Sequence, residues 1–399
     1  MSLLDSFGPR RNLAQLAQMS FEHLDFGPLS EALRQAIAEN PNDADALMEL
    51  SQIELILGER ASSTALQEQA LRLTRVFADP NNPEKPDLTA VAVCVAGDFM
   101  ANTPLEFMLG GSGIALHRVY IGAGEALPEM PPHDAAIIAV GYSTANHALL
   151  EELKTHFAAW PRPVVNPAAG ILRTGRDTMA PMFDGLQGAV VPPTIKLSRD
   201  ESFGFAGQLR QHKAGQPPFP LLIRPLDSHA GTELELITAP EALDRYLKFH
   251  IRTGYFVSSF VDYRSPDGLF RKYRVAVIDG VPYPSHMGIS EHWMIHYLNA
   301  GMTLSADKRT EEQRFMDEFE TGFRRRHEAA LRELWKRLGL EYFALDCAET
   351  PDGRLLVFEI DVAMIVHLMD PPDMFPYKHV HMPKVFAAYQ AMLRRAAGR

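Results

Sequence analysis

Cysteine is scarce in this sequence. Only Cys94 and Cys347 occur among 399 residues, and each stands inside an apolar run. A disulfide framework or a cysteine-ligated zinc site needs several cysteines at regular spacings, so the sequence excludes both. We therefore expect two buried thiols in a protein of a reducing, cytoplasmic compartment.

Long apolar runs and long basic runs are also missing. No stretch of about 18 apolar residues that could span a membrane occurs, and the N-terminus lacks the apolar core of a secretory signal. Lys and Arg number 39 against 50 Asp and Glu, a formal net charge of -11. The sequence therefore disfavours membrane and nucleic-acid partners, while a local basic pocket for phosphate groups remains compatible with it.

What is present is a globular composition, with 46% hydrophobic and 22% charged residues, that suits two or three domains. In residues 1–79, apolar side chains recur at helical spacing from Ser30 to Phe77 and predict three helices. Gly58 is expected to end the second, and Ser62 or Ser63 to cap the third. The pattern resembles tetratricopeptide-type helical hairpins; a plain helical prefix packed on the next domain is the alternative.

Residues 80–191 begin with a polar, proline-rich linker and then alternate strands with a helix, which predicts an open parallel sheet. Neither G-x-G-x-x-G nor G-x-x-x-x-G-K-[ST] follows a strand, so a Rossmann dinucleotide site and a P-loop are disfavoured. The predicted strands are Leu88–Ala96, Ala115–Ile121, Ala135–Val140 and Val164-Val165, and the predicted helix is Asn146–Ala159.

Residues 192–399 change to paired strands with tight turns at Asp279-Gly280 and Asp352-Gly353. A long charged helix from Thr310 to Leu338 lies between the two hairpins and ends at Gly339. Together with the preceding parallel sheet, this predicts an α/β (α+β) protein.

The hairpin around Asp352-Gly353 carries the most informative pattern. A two-residue loop there places Asp346 opposite Glu359. By the same count Asp361 lies opposite Ala344, and the other face collects apolar residues that include Phe358. Like charges directly opposite one another destabilise a strand pair unless a cation lies between them. Carboxylate oxygens suit magnesium or manganese better than zinc, so we predict a metal site here; an exposed sheet face with incidental acids is the alternative.

This hairpin resembles the metal-binding hairpin of the ATP-grasp superfamily, which includes glutathione synthetase, D-alanine:D-alanine ligase and the ribosomal-protein glutamate ligases. Those proteins carry an aspartate on one strand and Glu-x-Asn on the next, where this chain has Asp346 and Glu359-Ile360-Asp361. The resemblance implies an ATP-grasp fold in residues 192–399, with a lid at about 192–262, and ATP and Mg2+ as cofactors. Aspartate in place of asparagine adds a negative charge that would favour tighter metal binding or a second ion.

The resemblance also assigns nucleotide-binding residues in chain order. Arg224 stands on the strand that usually bears a lysine, and the loop after it folds over the phosphates in those proteins. Their hinge strand holds adenine through its backbone. Lys272 lies on the strand of the catalytic arginine. Thr178 replaces another lysine that touches ATP, with Arg173 or Arg176 as substitutes. The loop residues are Ser228, His229 and Gly231, and the hinge residues are Ser259, Phe260 and Val261.

Arg274 is the catalytic candidate, because it matches the arginine that stabilises the transferring phosphoryl group or the oxyanion. The Asp279-Gly280 turn is expected to place Lys272 and Arg274 on one face, opposite Met287 and Ser285. A solvated basic strand is the alternative.

The acceptor side leaves the family pattern after Asp361. His286, His367 and Lys378 are candidates to bind a substrate carboxylate or to act as a base, and a structural role is the alternative for each. His292 and His296 face the same choice.

The function that the resemblance implies is ligation of a carboxylate to an amine through an acyl phosphate, with ADP and phosphate as products. A kinase of ATP-grasp fold and a non-catalytic nucleotide- or peptide-binding module are the alternatives. The expected partners are ATP and a small-molecule or peptide substrate. The helical prefix is a candidate for contacting a protein or peptide, for forming a homodimer, or for bracing the next domain.

Overall fold

The computed structural model describes residues 10–210 and 218–399, and residues 1–9 of the predicted helical prefix lie outside that part. The predicted α/β class is confirmed, since helices surround three separate β-sheets. The helices are α1 Leu13–Phe21, α2 Gly27–Glu39, α3 Ala44–Ile56, α4 Arg60–Leu73, α5 Leu105–Leu109, α6 His147–His156, α7 Ala168–Ile171, α8 Arg176–Met182, α9 Arg199–Leu209, α10 Pro240–Phe249, α11 Ala306–Asp317, α12 Arg325–Leu338 and α13 Lys378–Ala396. The strands are β1 Val76–Ala78, β2 Leu88–Cys94, β3 Ile114–Tyr120, β4 Ala135–Ile138, β5 Val164–Val165, β6 Ala189–Val190, β7 Thr194–Ser198, β8 Leu221–Pro225, β9 Glu235–Ile237, β10 Gly254–Ser259, β11 Phe270–Ile278, β12 Val281–Ser290, β13 Tyr342–Glu349 and β14 Leu355–Asp361.

The prefix differs from its prediction in three details. It contains helix α1 before the predicted ones, and α4 begins at Arg60 without a side-chain cap, so neither Ser62 nor Ser63 caps it. Phe77 lies in β1, which pairs antiparallel with β3 at the edge of the next sheet. Helical spacing placed Phe77 on a helix because a single inward-facing residue satisfies both periodicities.

The first sheet has the order β1-β3-β2-β4-β5, and β2 pairs in parallel with both β3 and β4. Its central strands are buried over nearly their whole length, which is why they appear in the sequence as continuous apolar runs. Strand β3 lies on one side of β2 and strand β4 lies on the other, so the connection after β2 and the connection after β4 run in opposite directions. The loops after β2 and β4 therefore flank a crevice at the carboxyl edge, where open parallel sheets bind ligands.

The second sheet, β7-β10-β8-β9, is antiparallel and small. Together with α9 and α10 it encloses a hydrophobic core of its own that includes Ile223, Tyr246 and Tyr255. Ser198 caps α9 in a reciprocal pair with Glu201. This sheet therefore packs largely on its own two helices.

The third sheet, β12-β11-β13-β14-β6, contains both predicted hairpins. The charged helix that precedes the second hairpin is interrupted, because a π-helical segment, Glu320–Arg324, separates α11 from α12. The helix does end at Gly339, whose φ of 66° is in the left-handed region that glycine adopts most readily. No helix in the described ranges is long and apolar enough to cross a membrane.

Asn166 joins the first sheet to the third. The residue is fully buried, its Oδ1 accepts from the backbone N–H of Tyr342 at 2.8 Å, and its Nδ2 donates to the carbonyl of Tyr342 at 2.8 Å. Both bonds lie at the start of β13, the strand that carries Asp346. This side chain therefore fixes the end of the acidic hairpin against the parallel sheet.

We expect Asn166→Ala to lower the free energy of unfolding by about 2–4 kcal/mol, because it leaves two buried backbone groups without partners. Urea unfolding followed by circular dichroism measures the change. Asn42→Ala, at an exposed position, is the matched control and should change stability by less than about 0.5 kcal/mol. Equal stability of the two variants would contradict the role given to Asn166.

Candidate active site

A cleft of about 290 Å³ lies between the second and third sheets. Polar and charged side chains from both sheets line it together with apolar ones, the combination typical of small-molecule sites. Of the predicted site residues, the cleft brings together Arg224, His229, Gly231, Ser259, Phe260, Val261, Lys272, Arg274, Asp346 and Glu359.

The acidic hairpin pairs its acidic residues as predicted, although its turn and its strand both differ from the prediction. Asp346 faces Glu359, and Ala344 faces Asp361. The turn holds three residues instead of two, since Glu349 pairs with Leu355 and the N–H of Thr350 donates to the carbonyl of Arg354 at 2.9 Å. A bulge at Phe358 then takes up one residue and restores the register.

The bulge has a consequence for the cleft. Simple alternation places Phe358 on the core face, but the extra residue turns its ring into the cleft lining. There Phe358 packs against Tyr263, with ring centroids 5.1 Å apart. The hairpin thus supplies an aromatic wall as well as carboxylates.

Asp346 is buried and neutralised by two cations from β11. Lys272 Nζ lies 2.7 Å from its Oδ2, and Arg274 Nε lies 2.8 Å from its Oδ1. Burial alone would raise the pKa of Asp346, but Arg274 and Lys272 outweigh it and hold the pKa well below its usual range. Asp346 is therefore ionised, and it fixes both cations at the cleft.

The register of β11 with β12 corrects one prediction. A bulge leaves Ser285 unpaired, so Arg274 lies opposite His286 and Lys272 opposite Gly288, instead of Ser285 and Met287. The turn at Asp279-Gly280 is as predicted, with Ile278 opposite Val281. The difference arises within the strand, where a single extra residue cannot be deduced from the turn.

Glu359 meets a second pair of cations. Its Oε1 forms an ion pair with Arg176. Burial would raise the pKa of Glu359, whereas Arg176 and Arg224 lower it, and the net shift is downward. Of the two substitutes considered for the ATP-contacting lysine, Arg176 lines the cleft, and Arg173 instead donates to the carbonyl of Arg337 at 2.9 Å.

Asp361 lies apart from the other two acids. It lines a small adjoining cavity with Glu359 and Arg176, and its Oδ1 accepts from the N–H of Ala363 at 2.9 Å. Burial raises the pKa of Asp361 to about 7. Within residues 10–210 and 218–399, no group of three or more acidic, histidine or cysteine side chains is arranged to hold a metal ion by itself.

The donor set nevertheless fits magnesium in one way. Magnesium in nucleotide sites takes one or two protein carboxylates and completes its shell with phosphate oxygens and water. Asp346 and Glu359 face each other and both line the cleft, so they can supply those two carboxylates. Asp361 shares the small adjoining cavity with Glu359 but does not line the cleft itself.

The loop after β8 closes one side of the cleft. Arg224 Nε donates to Ser228 Oγ at 3.1 Å, and a second guanidinium nitrogen donates to the Ser228 carbonyl. Burial, and then the nearby Arg176, lower the pKa of Arg224 to about 9. No carboxylate among the described residues lies within ion-pair distance of Arg224, so its charge is available to an anion.

The same loop has an unusual backbone. Asp227, Ala230 and Gly231 all have positive φ. Consecutive turns of this kind point backbone N–H groups inward and form concave anion sites. A methyl group on Gly231 would lie 2.5 Å from Met294 Sδ, so the loop packs tightly against the segment after β12.

The hinge strand lines the cleft at Ser259, Phe260 and Val261. The N–H groups of Ser259 and Phe260 donate to the carbonyls of Pro193 and Pro220 at 3.3 and 3.2 Å. Those two N–H groups are therefore already used inside the protein.

The three predicted substrate residues do not line the cleft. His286 is buried and packs against the tilted ring of Tyr297, with ring centroids 4.4 Å apart. His367 accepts from the N–H of Met369, and burial lowers its pKa to about 4. Lys378 is only 2% exposed and is surrounded by acidic and aromatic side chains.

Other cleft residues were not singled out from the sequence. They come from loops: Met100 after β2, Trp293 and Met294 after β12, and Met364 and Ile365 after β14. His296, considered only as one of several histidines, also lines the cleft. Methionine and tryptophan in loops carry no periodic signal, so only an exposed apolar loop after a functional strand could have indicated them.

The chain was compared with known proteins. No protein-family model and no curated protein matches the sequence. The structure resembles solved ATP-grasp proteins. A RimK domain ATP-grasp protein from Sphaerobacter thermophilus is 18% identical, with 76% of this chain and 99% of that one covered and a TM-score of 0.43.

Two D-alanine–D-alanine ligases are similar to the same extent. The enzyme from Bacillus anthracis, solved in complex with ATP, is 14% identical, covers 78% of this chain and 99% of its own, and has a TM-score of 0.46. The enzyme from Coxiella burnetii is 12% identical, covers 78% and 96%, and has a TM-score of 0.47. None of these comparisons supports the tetratricopeptide-like interpretation of the prefix.

Proposed function

We propose that this protein is an ATP-dependent carboxylate–amine ligase of the ATP-grasp class. The observation that carries the proposal is the convergence of Arg176, Arg224, Lys272 and Arg274 around Asp346 and Glu359 in one cleft. Four cations against two carboxylates leave a positive site for polyphosphate, and the carboxylates give magnesium a place beside it.

Each side chain has a role that follows from its position. Arg224 and the loop from Ser228 to Gly231 would bind phosphate oxygens, and the hinge from Ser259 to Val261 would hold the base beside Phe358. Lys272 and Arg274, held by Asp346, would stabilise the charge that develops as the phosphoryl group moves to a substrate carboxylate. Asp346 and Glu359 would hold a magnesium ion, which would supply further positive charge beside the phosphates.

The lid would protect the acyl phosphate from water until the amine arrives. Its loop contacts the loop that follows β4, because Asp227 Oδ1 accepts from the N–H of Thr144 at 2.7 Å. A lid that closes over the cleft strengthens every electrostatic contact inside it and limits hydrolysis of the intermediate.

We also propose a division of the chain into residues 1–79, 80–191 and 192–399. We propose a cytoplasmic location, and a prefix that contacts a protein, a peptide or a second copy of the chain.

The reaction class is tested by incubating the protein with ATP, magnesium and a panel of carboxylic acids and amines, and by measuring ADP and product mass. Ligation predicts ADP formation that depends on both an acid and an amine, and an amide product. A phosphoester would identify a kinase instead. Failure to bind Mg·ATP in calorimetry would contradict both enzymatic functions and leave the non-catalytic module.

Arg224→Met is expected to weaken Mg·ATP binding by about 10- to 100-fold, because it removes charge-assisted hydrogen bonds to phosphate. Isothermal titration calorimetry measures the effect. Arg210→Met is the control, since Arg210 is an exposed lid arginine paired with Asp244. If both variants bind Mg·ATP as tightly as the unaltered protein, Arg224 does not contact phosphate.

A further inference from the structure

Lys378 lies at the centre of a buried polar cluster that the proposed chemistry does not use. Its ammonium donates to the hydroxyl of Tyr297 at 2.6 Å and lies 3.1 Å from Asp370 Oδ2 and 3.7 Å from Glu312 Oε1. It also sits over the rings of Tyr297 and Phe375, 4.3 and 4.7 Å from their centroids. A lysine enclosed in this way has no donor left for a substrate.

Glu312 ties this cluster to β12. The side chain is fully buried on α11, and Oε1 accepts from the backbone N–H of Met287 at 2.9 Å. Oε2 accepts from the hydroxyls of Tyr297 at 3.0 Å and Tyr377 at 2.6 Å. Met287 follows His286, the residue opposite Arg274, so the cluster fixes the strand beside the catalytic candidate.

Asp370 ties the cluster to the loop that lines the cleft. Besides its contact with Lys378, its carbonyl accepts from His379 Nε2 at 2.8 Å. At the other end of this loop, the carbonyl of Ile365 accepts from Arg274 Nη1 at 3.0 Å, and Ile365 and Met364 line the cleft. The loop from 362 to 377 is thus held by Arg274 at Ile365 and by Lys378 at Asp370.

We propose that Lys378, with Glu312 and Asp370, positions the loop 362–377 as a wall of the active site and keeps Arg274 aimed into the cleft. On one side, Arg274 contacts Ile365, and the loop leads from there to Asp370 and Lys378. On the other side, Glu312 contacts both Lys378 and Met287, and Met287 lies on β12, the strand opposite Arg274. Lys378 is a positioning residue that acts through Arg274 and the loop. The role of Arg274 at the phosphate end rests on the proposed function.

The anchoring is tested by hydrogen exchange of the full chain. Lys378→Met removes the charge and keeps the length of the side chain, and Tyr297→Phe removes one hydroxyl and keeps the ring. Both are expected to speed exchange of the amides in 362–377. Lys384→Met is the matched control, an exposed lysine on the same helix, and should leave that exchange unchanged. Unchanged exchange in folded Tyr297→Phe would overturn the anchoring, even if Lys378→Met fails to fold.

The link to the site is tested by measuring the dissociation constants of Mg·ATP and Mg·ADP by calorimetry. We expect Tyr297→Phe and Lys378→Met to change the ratio of the two constants by at least about threefold, because only ATP carries the terminal phosphate near Arg274. In an Arg274→Lys background the same changes should add no further shift. A general loss of stability would weaken the binding of both nucleotides alike and leave the ratio of the two dissociation constants unchanged.

The outcomes separate the two proposals. An unaltered protein that binds neither nucleotide contradicts the proposed function before any variant is made. Nucleotide binding with faster loop exchange but a constant ratio overturns the link between Lys378 and Arg274 and leaves the proposed function intact.

Discussion

Arg274→Lys is expected to lower acceptor-dependent ATP turnover by about 10²- to 10³-fold, the cost of losing one preorganised donor to a developing anion. Lysine keeps the charge, but it cannot bind both oxygens of Asp346 and the carbonyl of Ile365 in one plane. We expect the dissociation constant of Mg·ATP to change much less than the turnover number, since the missing interaction is made mainly in the transition state.

The control for this prediction lies on the same strand. Arg271 has the opposite orientation on β11, outside the cleft, where it pairs with Asp267 and Glu311. Arg271→Lys should leave turnover within about twofold of the unaltered protein, because the ion pair lies outside the cleft and lysine keeps its charge. Steady-state measurement of ADP release with saturating ATP compares the two variants. Similar turnover for both would remove Arg274 from the catalytic role.

Glu359→Gln is expected to abolish the magnesium dependence of ATP turnover and to lower turnover by about 10²-fold or more, because a neutral amide is a poor ligand for a hard cation. Removal of magnesium with a chelator should lower the ATP turnover of the unaltered protein to a similar extent. The substitution also leaves Arg176 without its ion-pair partner. Binding of the nucleotide in the absence of metal should therefore persist or strengthen, since Arg176 and Arg224 are both free to bind phosphate.

Glu349→Gln is the matched control for the carboxylate. Glu349 lies on the same hairpin but outside the cleft, where it pairs with Arg326 and His327. We expect its turnover and its magnesium titration to match those of the unaltered protein. If Glu359→Gln keeps a normal magnesium titration, Glu359 is not a metal ligand, and the ion must be sought near Asp361.

The acidic hairpin shows how far sequence reasoning reached. Alternation and the Asp352-Gly353 turn place Asp346 opposite Glu359, and the structure has that pair. The agreement rests on two irregularities that cancel, a three-residue loop and the bulge at Phe358. In the β11–β12 hairpin only the bulge is present, and there the predicted partner of Arg274 was wrong by one residue. A bulge depends on packing between strands, which a turn sequence does not encode.

The substrate residues show where the sequence could mislead. His286, His367 and Lys378 are chemically suited to bind a carboxylate, and nothing local distinguishes an exposed lysine from a buried one. In the structure Lys378 is neutralised by Glu312 and Asp370, which approach it from another helix and from a loop. Burial of a charge depends on partners distant in the chain, so only the folded chain decides it.

The sequence by itself determined the α/β class, the parallel strands before the hairpins, the strand that bears Lys272 and Arg274, and the segregation of acids and apolar residues on the hairpin. These follow from periodicity and turn chemistry within some ten residues. The tertiary structure decided which charges neutralise one another, since Asp346 meets Lys272 and Arg274 across 74 and 72 residues of chain. It also decided that Arg224 keeps its charge toward the cleft and that Lys378 turns away from it, because long-range packing selects the partner of each ionised group.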